Sequence, residues 1–252
     1  MKNLVIAGKK FKSRLFLGTG KFASNREMRD AIRASGTELV TVSLSRVEIS
    51  KPNEDIISAI PKGIKIVVNT SGARNAKEAI MIAKIAKEAG FDWIKLEIHP
   101  DRRHLLPDPI ESFRAAEEMI RMGCVVMPYV NSDPVLCKRL EDIGVQCVMP
   151  LGSLIGSNQG LKTEYMLRII IEQSNVPVII DAGIGSPADA AAAVELGADA
   201  VLVNTAVAAT ENPKLMAEAF RLAVESAQKG IDAGPSEKSS LAFPTSPFET
   251  PI

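Results

Sequence analysis

Three things are scarce in this 252-residue chain, and each scarcity narrows its function. Cysteine occurs three times, as Cys124, Cys137 and Cys147, with no Cys-x-x-Cys and no histidine cluster beside them. That is too sparse for a disulfide framework or a metal site, and it suits a reducing, cytoplasmic compartment. Net charge is absent: 30 basic residues balance 30 acidic ones. Neither nucleic acid nor an anionic membrane surface is therefore expected as the main partner, and any phosphate recognition has to be local. Long apolar runs are absent as well. Met1–Gly8 carries only a brief apolar stretch before Lys9 and Lys10. It is too short for a signal peptide, and nothing later is long enough to cross a bilayer.

What is present is a rhythm. Eight short apolar runs, at Leu15–Gly18, Glu38–Ser43, Lys65–Asn69, Asp92–Glu97, Cys124–Tyr129, Cys147–Pro150, Val176–Asp181 and Ala200–Asn204, read as strands. Each is followed by a helical pattern, at 24–35, 53–60, 75–89, 109–122, 134–142, 163–173, 187–196 and 213–228. Asp108-Pro109, Asp133-Pro134, Ser186-Pro187 and Asn212-Pro213 each put a capping residue before a proline at the first helical position. Ser24 with Glu27 and Asn75 with Glu78 have capping-box spacing, and Gly90 and Gly197 supply helix ends.

Eight βα units in a chain of this size predict a (β/α)8 TIM barrel over residues 1–230, with an open doubly wound sheet as the alternative. A weak alternation over 4–12 predicts a small N-terminal hairpin. Residues 231–252 lack periodicity and read as a poorly ordered C-terminal tail, with Leu241, Phe243 and Phe248 available to the barrel or to a partner subunit.

In such a barrel the chemistry sits where the strands end. Trp93-Ile94-Lys95-Leu96-Glu97 is the informative stretch. Period-two alternation turns Ile94 and Leu96 outward to helices and Trp93, Lys95 and Glu97 inward. Burial pulls a lysine towards neutrality, and an uncharged amine forms a Schiff base with a carbonyl. The alternative is a Lys95–Glu97 ion pair with a structural role. Asp181 closes the seventh strand, where it acts as a general acid or base or else caps the next helix, a role for which Ser186 is better placed. His99, beside Pro100, reads as a solvated loop histidine. Asn131 and Asn204 either donate to a hydroxyl or phosphate or order their turns.

Glycine-rich loops follow the sixth and seventh strands, Leu151–Gly160 and Asp181–Ser186, and Asn204-Thr205 follows the eighth. Loops of this kind hold phosphate through backbone N–H groups. The residues together predict a phosphosugar enzyme that forms an imine through Lys95, with Asp181 or Glu97 moving a proton. An aldolase or isomerase, and a non-catalytic binding subunit, remain open alternatives on these grounds.

The order and spacing of Gly18-Thr19-Gly20-Lys21-Phe22, Asp92–Glu97, Leu105–Pro109, Met149–Ser153, Ile155-Gly156-Ser157, Val178–Gly185 and Ala200–Ala206 resemble the thiazole synthase family of thiamine biosynthesis. The resemblance implies a sulfur-transferring transferase. It would build thiazole phosphate from 1-deoxy-D-xylulose 5-phosphate, dehydroglycine and sulfur delivered by a thiocarboxylated ubiquitin-like carrier protein. It implies Lys95 as the Schiff-base lysine and Glu97 and Asp181 as acid–base carboxylates. Gly156, Ala182, Gly183, Asn204 and Thr205 would be the sugar-phosphate contacts. It implies no metal and no cofactor beyond the covalent imine, a homo-oligomer, and the dehydroglycine-forming enzyme as a further candidate partner. The chain departs from the family pattern at Ala73, where cysteine is common, at Ser45 in place of arginine, and at Leu154 in place of proline.

Overall fold

The computed structural model describes residues 4–43, 56–237, 239–242 and 244. A hairpin of β1 (Leu4–Ile6) and β2 (Lys9–Phe11) precedes eight parallel strands: β3 (Leu15–Gly18), β4 (Leu39–Ser43), β5 (Lys65–Asn69), β6 (Trp93–Leu96), β7 (Val125–Val130), β8 (Met149–Pro150), β9 (Ile179–Asp181) and β10 (Ala200–Val203). Hydrogen bonding runs in the order β8-β7-β6-β5-β4-β3-β10-β9. Bridges Val148↔Val178 and Leu151↔Asp181 join the two ends, so the sheet closes into a barrel and the open-sheet alternative is excluded.

Alternation along each strand sorts the side chains. Phe16, Leu39, Val67, Trp93, Met127, Met149, Ile179 and Leu202 form one buried cluster inside the barrel, and Leu4, Ile6 and Phe11 of the hairpin join it. The hairpin turns tightly because Ala7 (φ 46°) and Gly8 (φ 76°) both adopt left-handed backbone. It therefore plugs the end of the barrel where the strands begin. Outward residues such as Val68, Ile94, Leu96, Val126 and Val130 pack against the helices.

The helices are α1 (Asn25–Ser35), α2 (Ile56–Ala59), α3 (Ala76–Glu88), α4 (Pro109–Arg121), α5 (Pro134–Asp142), α6 (Glu164–Gln173), α7 (Pro187–Glu195), α8 (Thr205–Ala208) and α9 (Pro213–Ala233). The expected caps are formed. Ser24, Asn75, Asp108, Asp133 and Asn212 each accept from first-turn amides, and Ser186 and Asp189 make a reciprocal capping box. This leaves Asp181 free of the capping duty. Two details differ from the sequence reading. Residues Thr205–Ala208, a loop on the sequence pattern, form the one-turn α8, since four residues are too few to show periodicity. Helix α9 runs to Ala233 and stops at left-handed Gly234, so it takes in the first residues assigned to the tail. Beyond it the described residues are exposed coil, including Leu241; Phe243, Phe248 and Ser45 lie outside the described residues. Among the described residues, no helix is long and apolar enough to cross a membrane.

Candidate active site

Lys95 points into the barrel because β6 pairs in register with both neighbours, Asn69↔Lys95↔Met127, and its alternation is unbroken. Glu97, one residue past the strand, is clamped by Thr70: its amide donates to Thr70 Oγ1 at 2.8 Å, and that hydroxyl donates to the Glu97 carbonyl at 2.7 Å. Asp181 arrives from β9, three strands along the barrel. The three side chains meet. Lys95 Nζ lies 2.9 Å from Glu97 Oε1 and 2.5 Å from Asp181 Oδ2, and 5.6 Å from the centre of the Tyr129 ring. All three residues are no more than 5% exposed.

This geometry corrects the expected charge of Lys95. Desolvation does favour the neutral amine, but the attraction of Asp181 and Glu97 outweighs it and holds the pKa above the ordinary lysine range. The resting group is an ammonium ion. The two carboxylates differ. Burial pushes Glu97 up, yet Lys95 and His99 together hold it below the usual carboxylate range. For Asp181 burial prevails over Lys95, with further repulsion from Glu97, so its pKa is raised. Asp181 is thus the carboxylate more ready to take a proton.

Lys95, Glu97 and Asp181 line one cavity of about 420 Å³ together with Gly156, Ala182, Gly183, Asn204 and Thr205. These eight residues named from the sequence are therefore brought to a single place, whereas Asn131 does not line the cavity. The loops after β8 and β9 are laced together, with Gly152 donating to the carbonyls of Asp181 and Ala182 and Gly160 donating to that of Gly183. Close approach makes glycine necessary at 183. Its φ is 80°, and an added Cβ would sit 1.9 Å from Ser153 Oγ. Ala182, just before it, is itself left-handed at φ 66°, as are Leu105 and Asn158 on the same cavity. Such strained backbone concentrates at binding sites.

Asn204 works as an organiser. With its amide nitrogen turned inward it donates to the carbonyls of Gly18 (3.2 Å) and Gly20 (2.8 Å), and a Cβ on Gly18 would collide with it at 2.7 Å. Asn131 likewise orders a loop by donating to the Pro107 carbonyl. A cationic corner forms where Gly156 faces Lys21. A Cβ on Gly156 would lie 3.3 Å from Lys21 Nζ and 3.6 Å from Thr205 Oγ1. Lys21 makes no ion pair among the described residues, and the sequence pattern marks it only as part of a loop.

His99 is the clearest departure from the sequence reading. It is 5% exposed, with Nε2 3.3 Å from Glu97 Oε2 and its ring 5.7 Å from that of Tyr129. The signal was available: His99 is two residues past Glu97 and four past Lys95, on the same inward alternation, which continues beyond the point where Pro100 suggests a loop. The three cysteines are buried free thiols, each with its pKa raised mainly by burial. Among the described residues no group of three His, Cys, Asp or Glu side chains is placed to hold a metal ion.

The arrangement can hold an amine, a proton acceptor and an anion-binding rim in one pocket. The chain is 58% identical over 251 residues to a thiazole synthase of Flavobacterium psychrophilum, covering 98% of each chain. It is 58% identical over 252 residues to one of Porphyromonas gingivalis, covering 98% of this chain and 97% of that one. Among solved structures, the Amycolatopsis orientalis BexX/CysO complex matches with a TM-score of 0.84 at 29% identity, over 94% of this chain and 98% of that one. The family described as thiazole biosynthesis protein ThiG matches residues 5–247, and the chain belongs to that family.

Proposed function

We propose that this enzyme of thiazole biosynthesis joins 1-deoxy-D-xylulose 5-phosphate to Lys95 as an imine and completes the ring with dehydroglycine and carrier-borne sulfur. The observation that carries the reading is the amine of Lys95 buried between Glu97 and Asp181 on a cavity with glycine loops and Lys21 at its edge. Lys95 passes a proton to Asp181 and its lone pair attacks the sugar ketone. Asp181 returns that proton to the carbinolamine hydroxyl, which leaves as water, so the carboxylate is free again and the resulting iminium ion is an electron sink. The neighbouring C–H then gives its proton to Asp181, and tautomerisation moves carbonyl character along the sugar chain. Glu97 stays ionised and holds the nitrogen in place. The phosphate sits against the backbone of Gly156, Ala182 and Gly183, the Thr205 hydroxyl and Lys21. A thiocarboxylate on a small carrier protein exchanges its sulfur for the relocated carbonyl oxygen and leaves as a carboxylate, and dehydroglycine closes the ring with loss of water and release of the Lys95 amine.

The imine supplies the activation, so the reading calls for no separate cofactor. That BexX was solved as a complex with CysO supports a protein partner. Assembly of several copies of the chain, a separate enzyme to supply dehydroglycine, and a cytoplasmic setting complete the reading.

Borohydride reduction tests it directly. Intact-protein mass after treatment with 1-deoxy-D-xylulose 5-phosphate should rise by the reduced sugar-phosphate adduct in the unmodified protein and stay unchanged in Lys95→Ala. Equal trapping in both proteins, or trapping in neither while both stay folded, refutes the imine at Lys95.

A further inference from the structure

Tyr129 is a large, fully buried side chain that the imine chemistry leaves without a task. Register places it. Lys95 pairs with Met127 on β7, and Tyr129 lies two residues past Met127 on the same inward alternation, as Glu97 lies two residues past Lys95. The long Lys95 side chain meets both. Its Nζ stands over the Tyr129 ring, 5.6 Å from the centre, within the range at which the negative face of an aromatic ring attracts a cation. His99 packs against the ring at 5.7 Å and helps to fix it. The Tyr129 hydroxyl has no comparable role. It is buried, makes no hydrogen bond among the described residues, and is kept neutral by burial and by the nearby Asp181 and Glu97.

The task of the ring follows from where a proton can go. An iminium nitrogen keeps one hydrogen, and only in that charged form does it draw electrons from the neighbouring C–H bond. Asp181, the base for that C–H, stands 2.5 Å from the same nitrogen, and burial raises its pKa. If it took the N–H proton it would leave a neutral imine, which is no electron sink. The groups facing the nitrogen decide which proton moves. Glu97 and His99 follow β6, Asp181 ends β9 and Tyr129 comes from β7. Asn69 of β5 and Asn204 after β10 carry no charge, and Arg102 is exposed on the cavity wall. Glu97 and the ring face therefore favour a positive nitrogen without being the base for the carbon. Resting on the imine reading above, we propose that the face of the Tyr129 ring holds the Lys95 nitrogen cationic in the imine, so that Asp181 takes its proton from carbon and not from nitrogen. Tyr129 acts through Lys95 and is a positioning residue.

The rival role, in which Tyr129 only fills space, is separated by changing the ring's charge distribution at nearly constant shape. Tyr129→Phe and phenylalanines bearing one, two or three ring fluorines are placed at position 129 of the full chain. Fluorination progressively removes the negative face. Each protein is given 1-deoxy-D-xylulose 5-phosphate in heavy water, and deuterium uptake at the carbons beside the ketone is followed from pH 6 to pH 10. Uptake should fall at alkaline pH as the imine loses its N–H proton. Tyr129→Phe should match the unmodified protein to within about threefold, because the ring face is kept. The pH of half-maximal uptake should drop stepwise with fluorination, by about one unit from Phe to the trifluoro ring, a 10-fold change in the protonation equilibrium. Thermal midpoints should stay close together along the series. An unchanged profile along the series, or no alkaline fall up to pH 10 even with the trifluoro ring, shows that the carboxylates suffice and overturns the proposal, as does a Tyr129→Phe profile shifted as far as the trifluoro one. A borohydride-reducible adduct at Lys95 in all these proteins leaves the imine reading standing in each such case. No adduct and no uptake in the unmodified protein refutes the imine reading and this proposal with it.

Discussion

Replacing Lys95 with methionine keeps the volume of the side chain and removes its charge, which isolates the electrostatics of the site. With Nζ 2.5 Å from one carboxylate and 2.9 Å from the other, each attraction is on the order of 6 kcal/mol at an effective dielectric of about 20. Desolvation of all three groups consumes most of that. What the variant reveals is the penalty of two buried carboxylates with no ammonium between them, about 3–5 kcal/mol. For a chain of this length that is a fall in Tm of about 6–20 °C at pH 8.

The pH dependence identifies the cause. In the unmodified protein Glu97 has a depressed pKa, so its contribution is present above its unfolded value and is lost as pH falls through the folded one. Lys95 has a raised pKa, so its contribution is complete below its unfolded value and is lost only as pH climbs through the folded one. In Lys95→Met both carboxylates are pushed up by burial, as Asp181 already is. Their penalty therefore applies above the unfolded carboxylate range and shrinks as pH falls through the raised values, recovering up to about 1.4 kcal/mol per pH unit for each group. Urea unfolding of both proteins at pH 8 and pH 5 should show a gap that narrows on acidification. A gap of equal size at both values would assign the loss to packing of the lysine stem, and no gap at pH 8 would refute the picture of Lys95 as the ion holding the carboxylates together.

Asp181→Asn should move stability the other way, by about 1 kcal/mol upward at pH 8, because it removes the carboxylate that burial disfavours and leaves a one-to-one pair; a loss of stability there would contradict the raised pKa. The same variant reports on the proton path. If Lys95 hands its proton to Asp181 inside the site, the reactive form holds as many protons as the resting form, so the rate of adduct formation should be flat from pH 7 to 9. In Asp181→Asn the proton leaves to solvent and the rate should rise about tenfold per pH unit, and a tenfold rise in both proteins would exclude the internal transfer. Gly183→Ala forces a Cβ onto Ser153 and an unfavourable φ together, so sugar-phosphate binding should weaken by at least 10-fold, roughly 1.4 kcal/mol, as measured by calorimetry; unchanged affinity would remove the loop from the phosphate site. Lys21→Met should weaken phosphate binding most at low ionic strength, and an equal loss at all salt concentrations would argue against a charge contact.

The legibility of this chain divides along a physical line. Local signals were sufficient for the barrel: proline at first helical positions behind capping residues, and strands short enough to count. Period-two alternation was sufficient to turn Lys95 inward. The charge state of that lysine was not legible in the same way, because it depends on Asp181, which reaches it only when the sheet closes through the bridge between Leu151 and Asp181. Burial taken alone predicts a neutral amine; burial between two carboxylates produces an ammonium ion. His99 was misplaced for a smaller reason. Strand β6 ends at Leu96, but the backbone keeps its alternation through Glu97 and Ile98 to His99, held by the hydrogen bond that the His99 amide donates to the Ala73 carbonyl.

Closure also gives the cavity a direction that the neutral composition of the chain conceals. Around Lys95 one cation stands against two carboxylates, so the floor of the cavity is a poor place for a second anion. Near Gly156 the balance reverses, with Lys21 making no ion pair among the described residues, the Thr205 hydroxyl beside it, and backbone held open by glycine. A substrate carrying a ketone at one end and a phosphate dianion at the other is disfavoured in the reversed orientation at its phosphate end, where the dianion would meet Glu97 and Asp181. The same two carboxylates that keep Lys95 protonated at rest thus prevent the phosphate from occupying the amine's place. On the imine reading proposed above, the carbonyl is the end of such a molecule that reaches Lys95, and Asp181 stands in contact to receive the proton that the amine would lose.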